Sequence, residues 1–181
     1  MGRSWLRLVL LAGVLALLAT ACSVEETMPF PHCLEGGSAL IVAQSVPNAD
    51  FVPCLNRLPA GWSKTSVQID QDGTTIGFDS DRAGEGAAHL HFADTCAIGE
   101  DAVLVPSDKE DSSRFDRLER LQPGFREQRY YVFLGGCVWW EFDFDDGASA
   151  SLAIELGDQL ELFSREQLNQ NVRDSFVDED L

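Results

Sequence analysis

The chain has 181 residues, which is enough for one ordinary globular domain. Its 30 acidic residues outnumber 13 basic ones, giving a formal net charge of −17. This charge argues against a nucleic acid partner, because binding one depends on neutralising phosphates, and it disfavours close docking onto anionic lipid.

The first 21 residues have the form of an export signal. Arg3 and Arg7 precede an apolar run over residues 8–18, and the small residues Thr20 and Ala21 precede Cys22. Such a pattern is a bacterial lipobox, in which the cysteine after the cleavage point is acylated. The run is too short for a transmembrane helix, which needs about 20 apolar residues. Cleavage without lipidation is the alternative.

We therefore expect a signal peptide over residues 1–21, a flexible spacer over 22–31 and one domain over 32–181. The lipid on Cys22 would hold the protein on the extracytoplasmic face of a cell membrane. Two basic residues and no acidic ones leave with the signal, so the mature chain would have 11 basic and 30 acidic residues, a net charge of −19.

Four further cysteines follow, at Cys33, Cys54, Cys96 and Cys137. An even count in an exported chain indicates disulfides, with three pairings open. We favour Cys33–Cys54 and Cys96–Cys137, because each pair then lies within one half of the chain. No two cysteines have CxxC spacing, so neither a thioredoxin-like site nor a zinc knuckle is indicated.

The first elements of the domain are short. The apolar run at 40–43 predicts a buried strand, although its length also fits a helical turn. Residues 47–58 mix helix-compatible residues with two prolines, and Pro47 suits a first helical position.

A hairpin and a further strand follow. Two alternating runs, 66–70 and 74–78, flank an Asp-Gly turn at Asp72-Gly73 and predict a β-hairpin. After a loop over 79–86, residues 87–93 alternate again and predict a strand.

The clearest strands are 129–134 and 137–144, joined by a turn at Gly135-Gly136. The second has an apolar face and an acidic face, typical of a half-buried antiparallel strand. The face predicted to be buried carries Val138, Trp140, Phe142 and Phe144, and the opposite one carries Trp139, Glu141, Asp143 and Asp145.

Two helices are predicted. The first is capped by Asp111 or Ser112 and ends before Pro123, with inward side chains at Phe115, Leu118 and Leu121. The second opens with a capping box at 164–167, with inward side chains at Leu168, Val172 and Phe176.

Residues 148–163 are ambiguous and are interpreted as two strands with a turn at Gly157. The sum is an α+β domain, a mainly antiparallel sheet of six to eight strands with two or three peripheral helices, stapled by two disulfides.

A metal site has weak candidates in His89 and His91, which would share one face of a strand. Asp94 is near in sequence, and His32 could come from elsewhere. Zinc needs four ligands, or three and a water, so the pair alone is insufficient. The alternative is two solvent-facing imidazoles beside a buried Leu90. The Asp-Gly pairs do not fit a calcium-binding loop and are interpreted as turns.

Enzyme signatures are missing from the sequence, and we expect neither catalysis nor a cofactor. The row Glu141, Asp143 and Asp145 could hold the acid and base of a hydrolase. A solvated row of like charges, which also protects a strand from aggregation, is the preferred interpretation.

Partner binding has two weak candidate features. Arg114, Arg117 and Arg120 would line one side of the predicted helix and could receive a phosphate headgroup, an anionic glycan or an acidic partner. The alternative is helical ion pairing, Glu110 with Arg114 and Asp116 with Arg120. The second feature is Trp139, which lies among acids.

Several motifs resemble uncharacterised membrane-anchored lipoproteins of actinobacteria. Besides Cys22, they are Ala43-Gln44-Ser45-Val46-Pro47, Val52-Pro53-Cys54-Leu55, Leu58-Pro59-Ala60-Gly61-Trp62, Ser80-Asp81-Arg82-Ala83-Gly84 and Gly135-Gly136-Cys137-Val138. The resemblance implies a cell-envelope location and carries no activity.

The sequence thus favours a non-enzymatic interaction or binding module on the outer face of the membrane, with an envelope protein or wall component as its partner. The alternatives are a small-molecule or metal-binding module and, less favoured, a hydrolase that uses the acidic row.

Lipidation is tested by Cys22→Ser or Cys22→Ala. We expect either substitution to abolish acyl labelling and to release the protein from the membrane fraction, because two acyl chains, at about 0.8 kcal/mol per buried CH₂, supply the anchor. Mass spectrometry of the wild-type mature protein checks this directly, and a mature chain without acyl mass would contradict it.

Overall fold

The structure, a computed structural model, describes residues 36–177. The predicted signal, Cys22, the spacer and Cys33 lie outside these residues. The described chain forms a seven-stranded and a two-stranded antiparallel sheet with three helices, so the predicted α+β class with a mainly antiparallel sheet is confirmed.

Across residues 36–177, no helix combines the length and the apolar character needed to cross a membrane.

Twelve elements follow one another along the described chain. In order they are α1 (Gly36–Ser45), β1 (Phe51–Leu55), β2 (Trp62–Asp70), β3 (Gly73–Ser80), β4 (Gly84–Ala93), β5 (Val103–Val105), β6 (Ser113–Arg120), β7 (Arg126–Phe133), β8 (Gly136–Asp143), α2 (Ser151–Gly157), β9 (Leu160–Ser164) and α3 (Arg165–Val177).

The large sheet has the order β2-β3-β4-β8-β7-β6-β5, and every neighbouring pair is antiparallel. Strands β1 and β9 form a separate ribbon. The segment 94–102 leaves β4 in the middle of the sheet and reaches β5 at its edge, so it crosses three intervening strands.

One face of the large sheet, here called the inner face, forms the core. The predicted burial is confirmed, since Val138, Trp140 and Phe142 of β8 and Phe144 directly after it are all buried. The layer above them comes from α1, α2 and the β1–β9 ribbon, whose buried side chains join the same apolar cluster. The sheet is therefore covered on one side by helices and the ribbon.

The predicted hairpin is confirmed, with Asp70 paired to Gly73 across a two-residue turn. Gly73 has a φ of 134°, and a Cβ there would collide with the carbonyl oxygen of Phe92 on β4. Only glycine satisfies both constraints.

Two predictions near the start of the domain are wrong. Residues 40–43 lie in helix α1 instead of a strand, because Ala39, Val42, Ala43 and Val46 are buried at helical spacing. Residues 47–58 do not form a helix, since 51–55 form β1, which pairs with β9 from the far end of the chain.

Two later predictions also fail. Residues 113–120 form strand β6 instead of a helix, and the leucines that suggested helical spacing, Leu118 and Leu121, are exposed. Helix α2 replaces the first of the two strands predicted in 148–163. It buries Leu152 and Leu156 one turn apart. The second strand of that pair is confirmed as β9.

The capping box at the start of α3 is confirmed. The backbone N–H of Gln167 donates to Ser164 Oγ at 3.2 Å, and the N–H of Ser164 donates to Gln167 Oε1 at 3.1 Å. Leu168 is buried as predicted. The side chains of Val172 and Phe176 lie outside the described part.

One disulfide joins two described cysteines, Cys96 and Cys137, as predicted, with Cα atoms 5.8 Å apart. It fixes the crossing segment 94–102 to the first residues of β8. Cys54 is buried in β1, but its predicted partner Cys33 lies outside the described residues. The described chain therefore contains one bridge, and the second stays a prediction.

The two faces of β8 predict different responses to truncation. Trp140→Ala should lower the free energy of unfolding by about 3–5 kcal/mol, because it empties a fully buried site. Trp139→Ala should cost clearly less, because its side chain is partly exposed. Denaturant titration of both variants measures the difference, and equal losses would contradict this assignment of faces.

Candidate binding face

The second face of the large sheet, here called the outer face, carries two rows of side chains from adjacent strands. The strand register aligns the first row as Phe115, Tyr130, Trp139, His91 and Thr75, across β6, β7, β8, β4 and β3. The second row is Arg117, Gln128, Glu141, His89 and Gly77, across the same strands.

Three aromatic rings of the first row stack side by side. The ring centroids of Trp139 and His91 are 4.6 Å apart with planes 10° from parallel, and those of Trp139 and Tyr130 are 6.3 Å apart at 24°. Because β4 and β7 flank β8, both faces of the Trp139 indole are covered. The indole therefore presents its edge to solvent, and the predicted partial exposure of Trp139 is confirmed.

The crossing segment divides the outer face. Tyr130 is buried although it lies on this face, and Asp101 of the segment binds Arg117 at 2.8 Å. The part toward β4 stays uncovered and is here called the open face. Its six partly exposed residues are Thr75, His89, His91, Gln128, Trp139 and Glu141.

A shallow cavity of about 190 Å³ borders the open face beside the β2–β3 turn. Asp70, Asp72, Thr75, His91 and Trp139 are among its lining residues. The cavity is too small to enclose a drug-sized ligand, since such pockets measure about 300 Å³ or more.

His91 lies at the centre of the open face, with a side chain 19% exposed. Its Nδ1 shares a hydrogen bond of 3.1 Å with Thr75 Oγ1, and its Nε2 lies 3.5 Å from Glu141 Oε2. Burial lowers the pKa of His91, the carboxylate of Glu141 opposes that effect, and His89 adds to it. The imidazole is thus protonated less readily than that of an ordinary histidine.

The two histidines share a face as predicted, with ring centroids 6.1 Å apart. Both nitrogens of His91 already lie against other side chains. Over the described residues, no group of three or more His, Cys, Asp or Glu side chains is placed to hold a metal ion. His32 lies outside the described residues.

The acidic row is split by its surroundings. Glu141 lies against His91, whereas Asp143 lies at the end of β8 against Arg126 and Arg120. Asp145 lies in the turn after β8, and its carboxylate lies beside the backbone of Gly84 at the start of β4. The three carboxylates of the row therefore have different immediate neighbours.

The predicted arginine stripe is not formed, because β6 is a strand and alternates its side chains. Arg114 faces inward and binds Asp116 at 2.7 Å and Asp108 at 3.0 Å. Arg117 faces outward. The helical pairs expected for Arg114 and Arg120 are therefore wrong.

Each arginine of the stripe has a carboxylate partner. Arg117 binds Asp101 and also Glu119, at 3.2 Å, and Arg120 lies 3.6 Å from Asp143. Hydrogen bonding to Asp116 and Asp101 raises the pKa of Arg114 and Arg117 respectively. These charges are already compensated, which weakens the case for an anion-binding stripe.

Sequence reasoning missed a buried ion pair on the inner face of β7. The guanidinium of Arg129 binds Glu127 at 3.1 Å and lies 5.6 Å from the centre of the Phe142 ring. Burial raises the pKa of Glu127, and Arg129 opposes this shift. There was no clear signal for it in the sequence, because the predicted strand began at Arg129, whereas the observed strand begins at Arg126 and includes Glu127. The pair is closed off from solvent, so we interpret it as structural.

Comparisons of the chain with protein-family models, with curated proteins and with solved structures find no match. The resemblance to actinobacterial lipoproteins therefore stays a prediction, and any functional proposal depends on the geometry described above.

The titration of His91 gives a measurable pH dependence. Because its folded pKa lies below the ordinary value of 6.5, its contribution to stability is present above pH 6.5 and is lost as the pH falls below it. Between pH 7 and pH 5, the free energy of unfolding of wild type should fall more steeply than that of His91→Phe, which keeps a stacked ring but cannot titrate.

A second variant, Glu141→Gln, tests the contribution of the neighbouring carboxylate to the pKa of His91. Removing this carboxylate should lower the pKa of His91 further, because Glu141 is the charge that favours the imidazolium. NMR titration of the His91 ring protons measures the shift. An unchanged or raised pKa in Glu141→Gln, or identical pH slopes for wild type and His91→Phe, would contradict this assignment.

Proposed function

We propose that the protein is an exported, lipid-anchored envelope protein that acts as a non-enzymatic binding module, with the open face as its binding surface. The observation that supports this most is the position of Trp139. It lies on the central strand of the seven-stranded sheet and is partly exposed. The core lies on the other face of that strand, so this large aromatic side chain is not needed to build the core.

The stack makes Trp139 a rigid anchor. Its two neighbouring rings already restrict the side chain, so little conformational entropy remains to be lost when a partner binds. Tryptophan in such a setting is typical of the residues that dominate protein–protein affinity.

Polar groups surround the anchor and supply directional contacts. Glu141 and Gln128 lie beside it in the second row, and Thr75 lies beyond His91 in the first. An apolar ring edge with carboxylate, amide and hydroxyl groups around it suits the mixed surface of a protein partner.

A wall polysaccharide is the less favoured partner. Sugar rings pack on aromatic faces, and both faces of Trp139 are covered by neighbouring rings. A hydrolase is also less favoured, because each carboxylate of the acidic row has a different neighbour: the His91 imidazole beside Glu141, two arginines beside Asp143 and the backbone of Gly84 beside Asp145.

A photo-crosslinking experiment tests this function. A photoreactive side chain replaces Gln128 in the membrane-bound protein, and irradiated cells are analysed for a crosslinked protein band. We expect a discrete band that is lost when Trp139→Ala is added and retained with Leu134→Ala, an exposed leucine in the β7–β8 turn.

Two results would contradict the proposal. One is the absence of a Trp139-dependent band. The other is sedimentation of the purified protein with isolated cell wall in a manner that Trp139→Ala abolishes, which would make the wall polymer the partner.

A further inference from the structure

The two edges of the large sheet differ in how they are protected against pairing with another chain. The β2 edge carries Lys64, a register shift between Lys64 and Ser66, and exposed polar side chains at Ser66 and Gln68. Charge and irregular pairing are the usual protection of an edge strand. At β2 both are present.

The β5 edge has neither charge nor irregular pairing, and its protection is limited to its length of three residues and to Pro106, which follows it. Its three residues are Val103, Leu104 and Val105, and Val103 and Leu104 are 62% and 64% exposed. No charged residue occurs from 102 to 106. Since β5 is the terminal strand and pairs only with β6, one side of its backbone has no strand partner among the described residues.

On the outer side of the sheet apolar surface continues from β5 onto β6, whereas on the inner side Val103 and Val105 are paired with Asp116 and Arg114. Leu104 is paired with the half-buried Phe115 on the outer side of the sheet. Farther along β6, Leu118 is 56% exposed. A strand laid beside β5 could therefore place alternate side chains against apolar groups on both sides of the sheet.

Acids without an ion-pair partner among the described residues flank this edge in the sequence. Glu100 precedes β5, and Glu110 and Asp111 lie in the loop between β5 and β6, where they border a cavity beside β9 and α3; all three are exposed. The nearby cations are already engaged, since Lys109 lies 3.4 Å from Asp108 and Arg117 binds Asp101.

We infer that the β5 edge binds an extended segment of another protein, which adds to the sheet as an eighth strand. The segment would carry apolar side chains at alternate positions and lysine or arginine on both sides of them. Main-chain hydrogen bonds would supply much of the affinity and the flanking charges the selectivity. This site is separate from the open face.

A second copy of this chain fits the edge poorly. In an antiparallel pair of β5 strands, Leu104 of one copy would face Leu104 of the other. A residue before Leu104 would then face the residue equally far after it, so Glu100 of one copy would oppose Asp108 of the other. Like charges directly opposite each other are destabilising. The acidic ends therefore favour a basic partner over self-association.

The probe is a labelled synthetic peptide with a central Val-Thr-Val-Thr-Val segment and two lysines at each end. Its affinity for the mature protein is measured by fluorescence anisotropy. We expect binding at least about tenfold tighter than for a peptide with glutamates in place of the lysines. A peptide N-methylated at alternate positions keeps its side chains but cannot pair its backbone, and it should bind at least about tenfold more weakly.

Protein variants locate the site. Leu104→Lys adds a charge to the edge and should weaken binding about tenfold or more, whereas Leu134→Lys, at another exposed leucine, should change it by less than about twofold. Equal thermal unfolding of the two variants confirms that both are folded. Amide hydrogen exchange at residues 103–105 should slow when the peptide binds, since strand addition protects these amides.

Several outcomes would overturn the inference. They are no binding of the basic peptide, equal binding of the N-methylated peptide, and equal effects of Leu104→Lys and Leu134→Lys. Analytical ultracentrifugation provides a fourth test, because a wild-type dimer that Leu104→Lys converts to monomer would make a second copy the occupant.

Discussion

The aromatic layer on the inner face of β8 is the constraint on which the rest of the structure depends. The ring of Trp140 lies 5.6 Å from that of Phe78 and 5.5 Å from that of Phe142, and all three are fully buried. Because side chains alternate along a strand, burying this layer sends Trp139 and Glu141 to the opposite face. The open face is thus a direct consequence of the core.

Strands with clear alternation could be predicted from sequence, because one face of each is buried and the other is not. The hairpin at Gly73 and strand β8 are of this kind. The secondary structure of segments with few large side chains was harder to predict. In α1 the buried residues include small alanines, so the helical spacing of the buried side chains was obscured by the neighbouring apolar Leu40 and Ile41.

The error at β6 has a different physical origin. Phe115, Leu118 and Leu121 have helical spacing, but Leu118 and Leu121 are exposed and never contribute to a core. What decides the conformation is pairing with β7, a tertiary interaction that overrides local spacing. The same pairing separates Arg114 from Arg117. The candidate site could be predicted only in part for the same reason. The sequence predicted that His91 and Trp139 each lie on a strand, but not that β4 and β8 are neighbours, which brings the two rings together.

The pairing of β1 with β9 has a consequence for how the chain reaches its native state. Phe51 lies opposite Ser164, and Leu55 and Leu160, at the other end of the ribbon, are fully buried. Contacts between residues so distant in sequence form slowly, because the entropy of closing the loop is lost before the contacts stabilise it. Until β9 has been synthesised and delivered, the ribbon cannot close over the sheet and the aromatic layer lacks part of its cover. The export proposed above would gain from this delay, because a chain that stays extended until β9 is available would complete its fold only after the membrane had been crossed.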